Sequence, residues 1–206
     1  MNIKVLIAAA DYPDNNGKVT LMYIHTRNLY YAAHGINVTV LNFKAKKDYE
    51  KDGIWVINPN TYKLHRKEYD ILILHAANIK NHYLFLKRYG NDFRKYIFFY
   101  HGHEVLRCNS VYSKPYPYVR RSIIKKVFQD VYDTFKLSIW RFYLPKVKYK
   151  SHFIFVSNWM KEEFHRWTHI PEMTLEGHYS ITYNSIGEEF EHETFDSSMT
   201  KEFDFC

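Results

Sequence analysis

Short apolar runs alternate with amphipathic stretches along almost the whole chain. The runs are "IKVLIAAA" (3–10), "NVTVLNF" (37–43), "GIWVINP" (53–59, closed by Pro59), "YDILILHA" (69–76), "KYIFFYHG" (95–102), "HFIFVS" (152–157) and "YSITYN" (179–184). Each is short, rich in β-branched and aromatic residues, and bounded by Gly, Pro, Asn or charge, which predicts strands. Between them lie stretches with helical spacing. In "KVTLMYIHTRNLYYAAHG" (18–35), Leu21, Ile24, Leu29 and Ala32 share a face and Gly35 supplies the stop. "NIKNHYLFLKRYG" (78–90) ends on Gly90, residues 119–143 predict a long helix, and Ser157 is placed to cap a helix over "NWMKEEFHRW" (158–167). Strands that are apolar throughout, rather than at every second position, are covered on both faces. The expected fold is α/β, a Rossmann-like, doubly wound and mostly parallel sheet.

Ligands of such sheets sit beyond the carboxyl ends of the strands. The polar residues that follow the apolar runs are therefore the candidates: Asp11 to Gly17, His75, His101 to Glu104, Ser157 and Asn184. The sharpest of these transitions is "FFYHGHEVL", where a buried-looking strand stops on two histidines and a carboxylate around Gly102. Three readings stand open. His101, His103 and Glu104 supply metal ligands, as in a metal-dependent hydrolase, or they form a binding loop, or they solvate a strand end. A metal site needs further ligands from elsewhere, and the chain has no HExxH and no paired cysteines. In the binding-loop reading Gly102 admits a ligand close to the backbone and His101 donates to a hydroxyl or phosphate.

The loop "DYPDNNGK" places Gly17 and Lys18 where the first strand hands over to the first helix, which reads either as a phosphate contact or as an ordinary turn. It has one glycine and fits neither GxGxxG nor GxxxxGK[ST], which excludes the usual dinucleotide and P-loop fingerprints.

Charge adds a second feature. The 206-residue chain carries +7, and residues 112–150 hold ten Lys and Arg against Asp130 and Asp133, so that segment alone carries 10 − 2 = +8. It also holds ten aromatic residues, and Val119, Ile123, Val127 and Val131 follow one another at every fourth position. One reading is a basic helix packed on the domain. The other is a basic, aromatic face on anionic lipid, with Arg120, Arg121, Lys125, Lys126, Trp140 and Arg141 facing the membrane. A non-catalytic module that binds anionic membrane or nucleic acid through 112–150 is the alternative to an enzyme. No nucleic-acid motif accompanies the segment, so nucleic acid is not the expected partner. Two distant cysteines, Cys108 and Cys206, fit a reducing compartment. The N-terminal apolar run is too short for a signal peptide, and no run approaches a membrane span. The expected location is cytoplasmic, with a peripheral position on the membrane open.

Taken in order, "DYPDNNGKVT", "LYYAAHGINVTVLNF", "YDILILHA", "FFYHGHE", "FIFVSNWMKEEF" and "ITYNSIGEEFE" resemble the N-terminal half of a family 4-type glycosyltransferase of the GT-B fold. The resemblance covers essentially the whole chain. It departs at Asn16–Gly17, where two glycines are usual, and at Tyr183 to Gly187, where "PNGID" is usual. It implies an acceptor-side domain over 1–187, then a linker and the opening strand of a C-terminal donor domain over 188–206, the rest of that domain being absent. It further implies sugar transfer with retention from a nucleotide-sugar to a polysaccharide or lipid-linked acceptor, without metal or other cofactor. On this resemblance His101 faces the transferred sugar, Gly17 and Lys18 meet the donor phosphates, and Asn16, Gly102, His103, Glu104, Ser157 and Asn184 line the cleft.

Overall fold

The apolar runs become strands of one sheet in the computed structural model, which describes residues 3–112 and 122–183. In chain order the elements are β1 (Lys4–Ala9), α1 (Met22–Ala33), β2 (Asn37–Asn42), β3 (Tyr49–Lys51), β4 (Ile54–Ile57), α2 (Pro59–Leu64) and β5 (Ile71–His75). A π-helical turn, Ile79–Tyr83, then runs into α3 (Leu84–Tyr89). The remainder is β6 (Lys95–Tyr100), α4 (Cys108–Val111), α5 (Ile123–Val147), β7 (Ser151–Phe155), α6 (Asn158–Thr168) and β8 (Tyr179–Ile181). The strand order is β3-β4-β2-β1-β5-β6-β7-β8. Every pairing is parallel except β3 with β4. The chain steps outward one way from β1 to β2 and β4, and the other way from β5 to β8. The order therefore reverses between β1 and β5, and the carboxyl ends of those strands form the crevice where doubly wound sheets bind ligands. The sheet is mostly parallel, flanked by helices, and compatible with a Rossmann-like fold.

Side-chain alternation explains why the strands are apolar throughout. Leu6, Ala8, Leu72, Leu74, Phe98, Tyr100, Phe153 and Phe155 point to one face, where they pack with residues of α2, α3, α5 and α6. Val5, Ile7, Ala9, Val38, Val40, Ile73 and Phe99 point to the other, under Ile24 of α1. Trp140 of α5 is fully buried in the first cluster, edge-on to Phe98 and Tyr83. The membrane-facing role expected of Trp140 is thereby corrected: the helix turns its indole inward to fill the sheet face.

Several boundaries differ from the pattern-based expectation. The first helix opens at Met22, because Leu21 adopts a left-handed conformation (φ 62°) that breaks the run from Lys18. Pro59 does not merely close a strand. It is the first residue of α2, whose N-cap Asn58 accepts from the amides of Asn60 and Thr61. The hairpin of β3 and β4 was not expected. Its two-residue turn, Asp52–Gly53, has both φ positive (49° and 79°), which is the Asp-Gly signature that the reading of 53–59 overlooked. The boundary drawn at 187/188 lies outside the described residues.

His82 fastens the segment after β5 to β1. Its Nδ1 accepts from the amide of Asn78 (3.1 Å) and its Nε2–H donates to the carbonyl of Ala8 (3.1 Å). Only the neutral ring satisfies both bonds, and full burial pushes its pKa down to about 4. A lowered pKa gives stability that is complete above the unfolded value near 6.5 and is lost as pH falls toward 4, because the unfolded chain takes the proton first. This residue alone is expected to cost about 2 kcal/mol of unfolding free energy at pH 5 relative to pH 7. His82→Gln keeps a donor and an acceptor and removes the titration. Urea unfolding at both pH values should show a shallower pH dependence in the variant, and an unchanged slope would refute the assignment.

Candidate functional site

β5 ends on His75 and His101 directly follows β6, and the two rings meet. His75 Nδ1 lies 3.1 Å from His101 Nε2, with the rings stacked at 5.4 Å. His75 also stacks on Phe99 at 4.4 Å. Burial, then the neighbouring charge of Arg27, pushes the His101 pKa down to about 4. His75, buried completely, falls well below its ordinary value through burial first and then His101, Arg27 and His82. Both rings are neutral at pH 7, so one nitrogen of the pair donates and the other accepts. The other nitrogen of His75, Nε2, has no partner among the described residues. A buried lone pair tolerates that better than a buried N–H does. This assigns the proton to His75 Nδ1, donating to His101 Nε2, and leaves His101 with an Nδ1–H. Tyr23, in the first turn of α1, packs its ring against His101 at 4.7 Å. The guanidinium of Arg27 covers Phe99 at 4.8 Å. The β6 terminus thus meets α1 at the crevice.

The loop after His101 is held from inside. The Glu104 carboxylate accepts from the amides of His101 and Gly102 (3.0 Å to Gly102), closing a turn on itself. Burial raises its pKa, and these amides and Lys136 oppose the rise. Gly102 has φ 154°, and a Cβ there would stand 2.8 Å from the Tyr112 hydroxyl. Tyr112 therefore occupies the side of Gly102 where a Cβ would stand, and its hydroxyl also bonds His103 Nδ1 at 2.6 Å.

Beneath the loop lies the ammonium of Lys136, a residue only 2% exposed. It donates to the carbonyls of His103 (2.6 Å) and Leu106 (2.9 Å) and to Asp133 (2.7 Å). Asp133, also buried, accepts in addition from the Cys108 amide (2.8 Å) and Gln129 (3.0 Å). Two charges that the sequence shows only as members of the basic segment are the bolt between α5 and the His101 loop.

The strand ends carry two cavities. One of about 820 Å³ lies against α5 and is lined by Asn78, His103, Glu104, Lys125, Lys126 and Tyr132 among others. The second, about 570 Å³, lies at the ends of β1 and β2, and its lining includes Asn16, Lys18 and Lys44. Strand order puts them on opposite sides of the β1/β5 crevice, so Lys18 and the His103–Glu104 pair do not share a cavity. Gly17 (φ 88°) and Lys18 lie several residues ahead of α1, not at its N-terminus. Lys18 and Lys44 (3.0 Å) both pair with the buried Asp11. Burial works against that carboxylate's charge, but the two ammoniums and the Tyr12 amide outweigh it and hold its pKa down. The trio keeps a net +1 beside the crevice.

Next to it runs a chain that sequence reasoning missed. Asn28 donates to the Tyr12 hydroxyl (2.9 Å), which meets His25 Nδ1 (2.8 Å), while His25 Nε2 meets Asp52 (2.8 Å). Burial raises the Tyr12 pKa, so the phenol stays protonated. This ties the loop after β1 to α1 and to the β3–β4 turn. No local pattern marks it, since each bonded pair is separated by 13 to 27 residues.

Ser157 caps α6, accepting from the Met160 amide at 3.0 Å. Its hydroxyl oxygen is thus engaged by the helix. Lys125 and Lys126 are exposed on the cavity wall, and Arg141 is exposed farther along α5. Asn184, Arg120 and Arg121 lie outside the described residues. Among the described residues, no three His, Cys, Asp or Glu side chains gather into a metal-sized group. Within the loop itself, His103 turns to Tyr112 and Glu104 to its own backbone. No protein-family model matches the chain, and no curated protein matches it.

Removing the ammonium strands a buried carboxylate. Lys136→Met is expected to cost roughly 3–5 kcal/mol. Lys136→Met combined with Asp133→Leu is expected to recover a large part of the loss, because neither charge is then left unpaired. Chemical denaturation of the two variants checks this, and equal losses in both would reject the bolt.

Proposed function

We propose that this chain is the acceptor-side half of a retaining, metal-independent glycosyltransferase, transferring a sugar from a nucleotide-sugar to a glycan or lipid-linked acceptor. The observation that carries the reading is the neutral His75–His101 pair at the carboxyl ends of adjacent parallel strands. A neutral imidazole whose inner nitrogen is pinned offers one directed N–H to a sugar hydroxyl. It adds no positive charge that would oppose an oxocarbenium-like transition state. The fold supports the reading by setting this pair beside the β1/β5 crevice, where a doubly wound sheet takes its ligand. The order of motifs along the chain supports it further. The Asp11-held lysines at the ends of β1 and β2 suit the donor phosphates. The cavity with Lys125 and Lys126 on its wall suits an acceptor that carries phosphate.

Titration of the chain with UDP- and GDP-sugars, followed by NMR, tests the proposal. Millimolar binding is expected, with shifts at His101, Tyr23 and Arg27. His101→Ala is expected to weaken it several-fold without changing the circular dichroism spectrum. Binding should be flat from about pH 8 to about pH 6, because a group titrating near 4 stays neutral throughout. No shift at these residues with any sugar nucleotide would remove the ground for the reading.

A further inference from the structure

α5 is apolar on two sides. Its inner side buries Leu137, Trp140 and Leu144 with the Asp133–Lys136 pair. At 100° per residue, Ile123, Val127, Val131 and Phe135 form one row and Ile124 and Phe128 the next, on the arc turned away from that inner side. All six are exposed, Ile123 by 78% and Phe128 by 70%. A helix face of this kind, projecting from the domain, needs a partner.

Charge decides which partner. Among the described bases of 112–150, Lys136 is spent on Asp133 and Lys150 on the Gly90 carbonyl, while Lys125, Lys126 and Arg141 are exposed and Asp130 is the one acid left beside them in that stretch. Asp130 is itself bonded to Asn109. Two copies meeting through this face would set bases against bases across a two-fold axis, which opposes self-association. An anionic lipid surface meets both demands, taking the apolar rows among its acyl chains and the bases among its headgroups.

We propose that the outward face of α5 docks on an anionic bilayer, with the helix lying in the plane of the interface. No helix among the described residues is long and apolar enough to cross a membrane, so the contact is one-sided. Lys125, Lys126 and Tyr132 belong both to this helix and to the wall of the 820 Å³ cavity. Docking therefore brings that cavity within about one helix diameter, ~10–12 Å, of the headgroups. The inference stands apart from the glycosyltransferase reading, since it needs no sugar chemistry.

Vesicle co-sedimentation of the full chain tests it. At low salt the chain is expected to pellet with equimolar phosphatidylcholine/phosphatidylglycerol vesicles and to stay in solution with phosphatidylcholine alone. Phe128→Glu with Val131→Glu is expected to weaken partition at least tenfold. Lys125→Glu with Lys126→Glu should do so by a similar factor, each lysine near an anionic surface being worth roughly fivefold. All four side chains are exposed, and thermal melts check that the variants stay folded. Three results overturn the proposal. The wild type stays in solution with both vesicle types. The Phe128/Val131 variant binds like the wild type. Or light scattering finds a dimer that this variant splits, while the wild type ignores vesicles.

Discussion

A buried ammonium sets the terms for the functional end of this protein. Stripped of water, the Lys136 Nζ has to find an acceptor for each of its three N–H bonds. It takes two carbonyls from the loop after β6 and the carboxylate of Asp133 one turn back. The carboxylate in turn needs donors, and it takes the amide that opens α4 and the side chain of Gln129. The loop carrying His101 to Glu104 is therefore locked in register with the middle of α5. A slip of the helix would leave a charge unpaired in the interior. The same lock orients the helix as a whole, because it commits one side to the sheet and leaves the opposite side, with its rows of Ile, Val and Phe, pointing outward.

Burial, more than neighbouring charge, shapes the chemistry at the strand ends. His75, His82 and His101 all lose affinity for protons because the charged ring would be desolvated, and Arg27 adds to that at the two strand-end residues. The result is a set of imidazoles with fixed hydrogen-bonding roles and no net charge. On the β1/β2 side the opposite holds. There a buried carboxylate gathers two lysines and leaves a positive excess. The two sides of the crevice thus differ in charge, with a neutral donor on one and a cationic cluster on the other.

Much of the fold was legible in the sequence because it depends on local pattern and on side-chain alternation. Seven of the eight strands follow from apolar runs of strand length, and the parallel sheet follows from their being apolar on both faces. Ser157 was legible as a cap, since an N-cap acts within one turn. The eighth strand, β3, was within reach through the Asp52–Gly53 turn. The position of His101 at a strand end was legible too, for the same local reason.

What the sequence by itself determined is the layering of the sheet, its covering by helices, and the end of it that carries polar chemistry. These depend on periodicity, and periodicity is written within a few residues. The tertiary structure alone decided which polar groups are buried and which apolar groups are not. Trp140 went inside and Phe128 outside on one helix. Lys136 and Asp133 became an interior pair, and Glu104 turned to its own backbone. Tyr112 came to lie over Gly102. The free energy of burying a charge or a ring depends on partners far along the chain, such as the His103 carbonyl for Lys136 or Phe98 for Trp140. No window of sequence contains those partners together, so only the folded chain could choose between the two faces of α5.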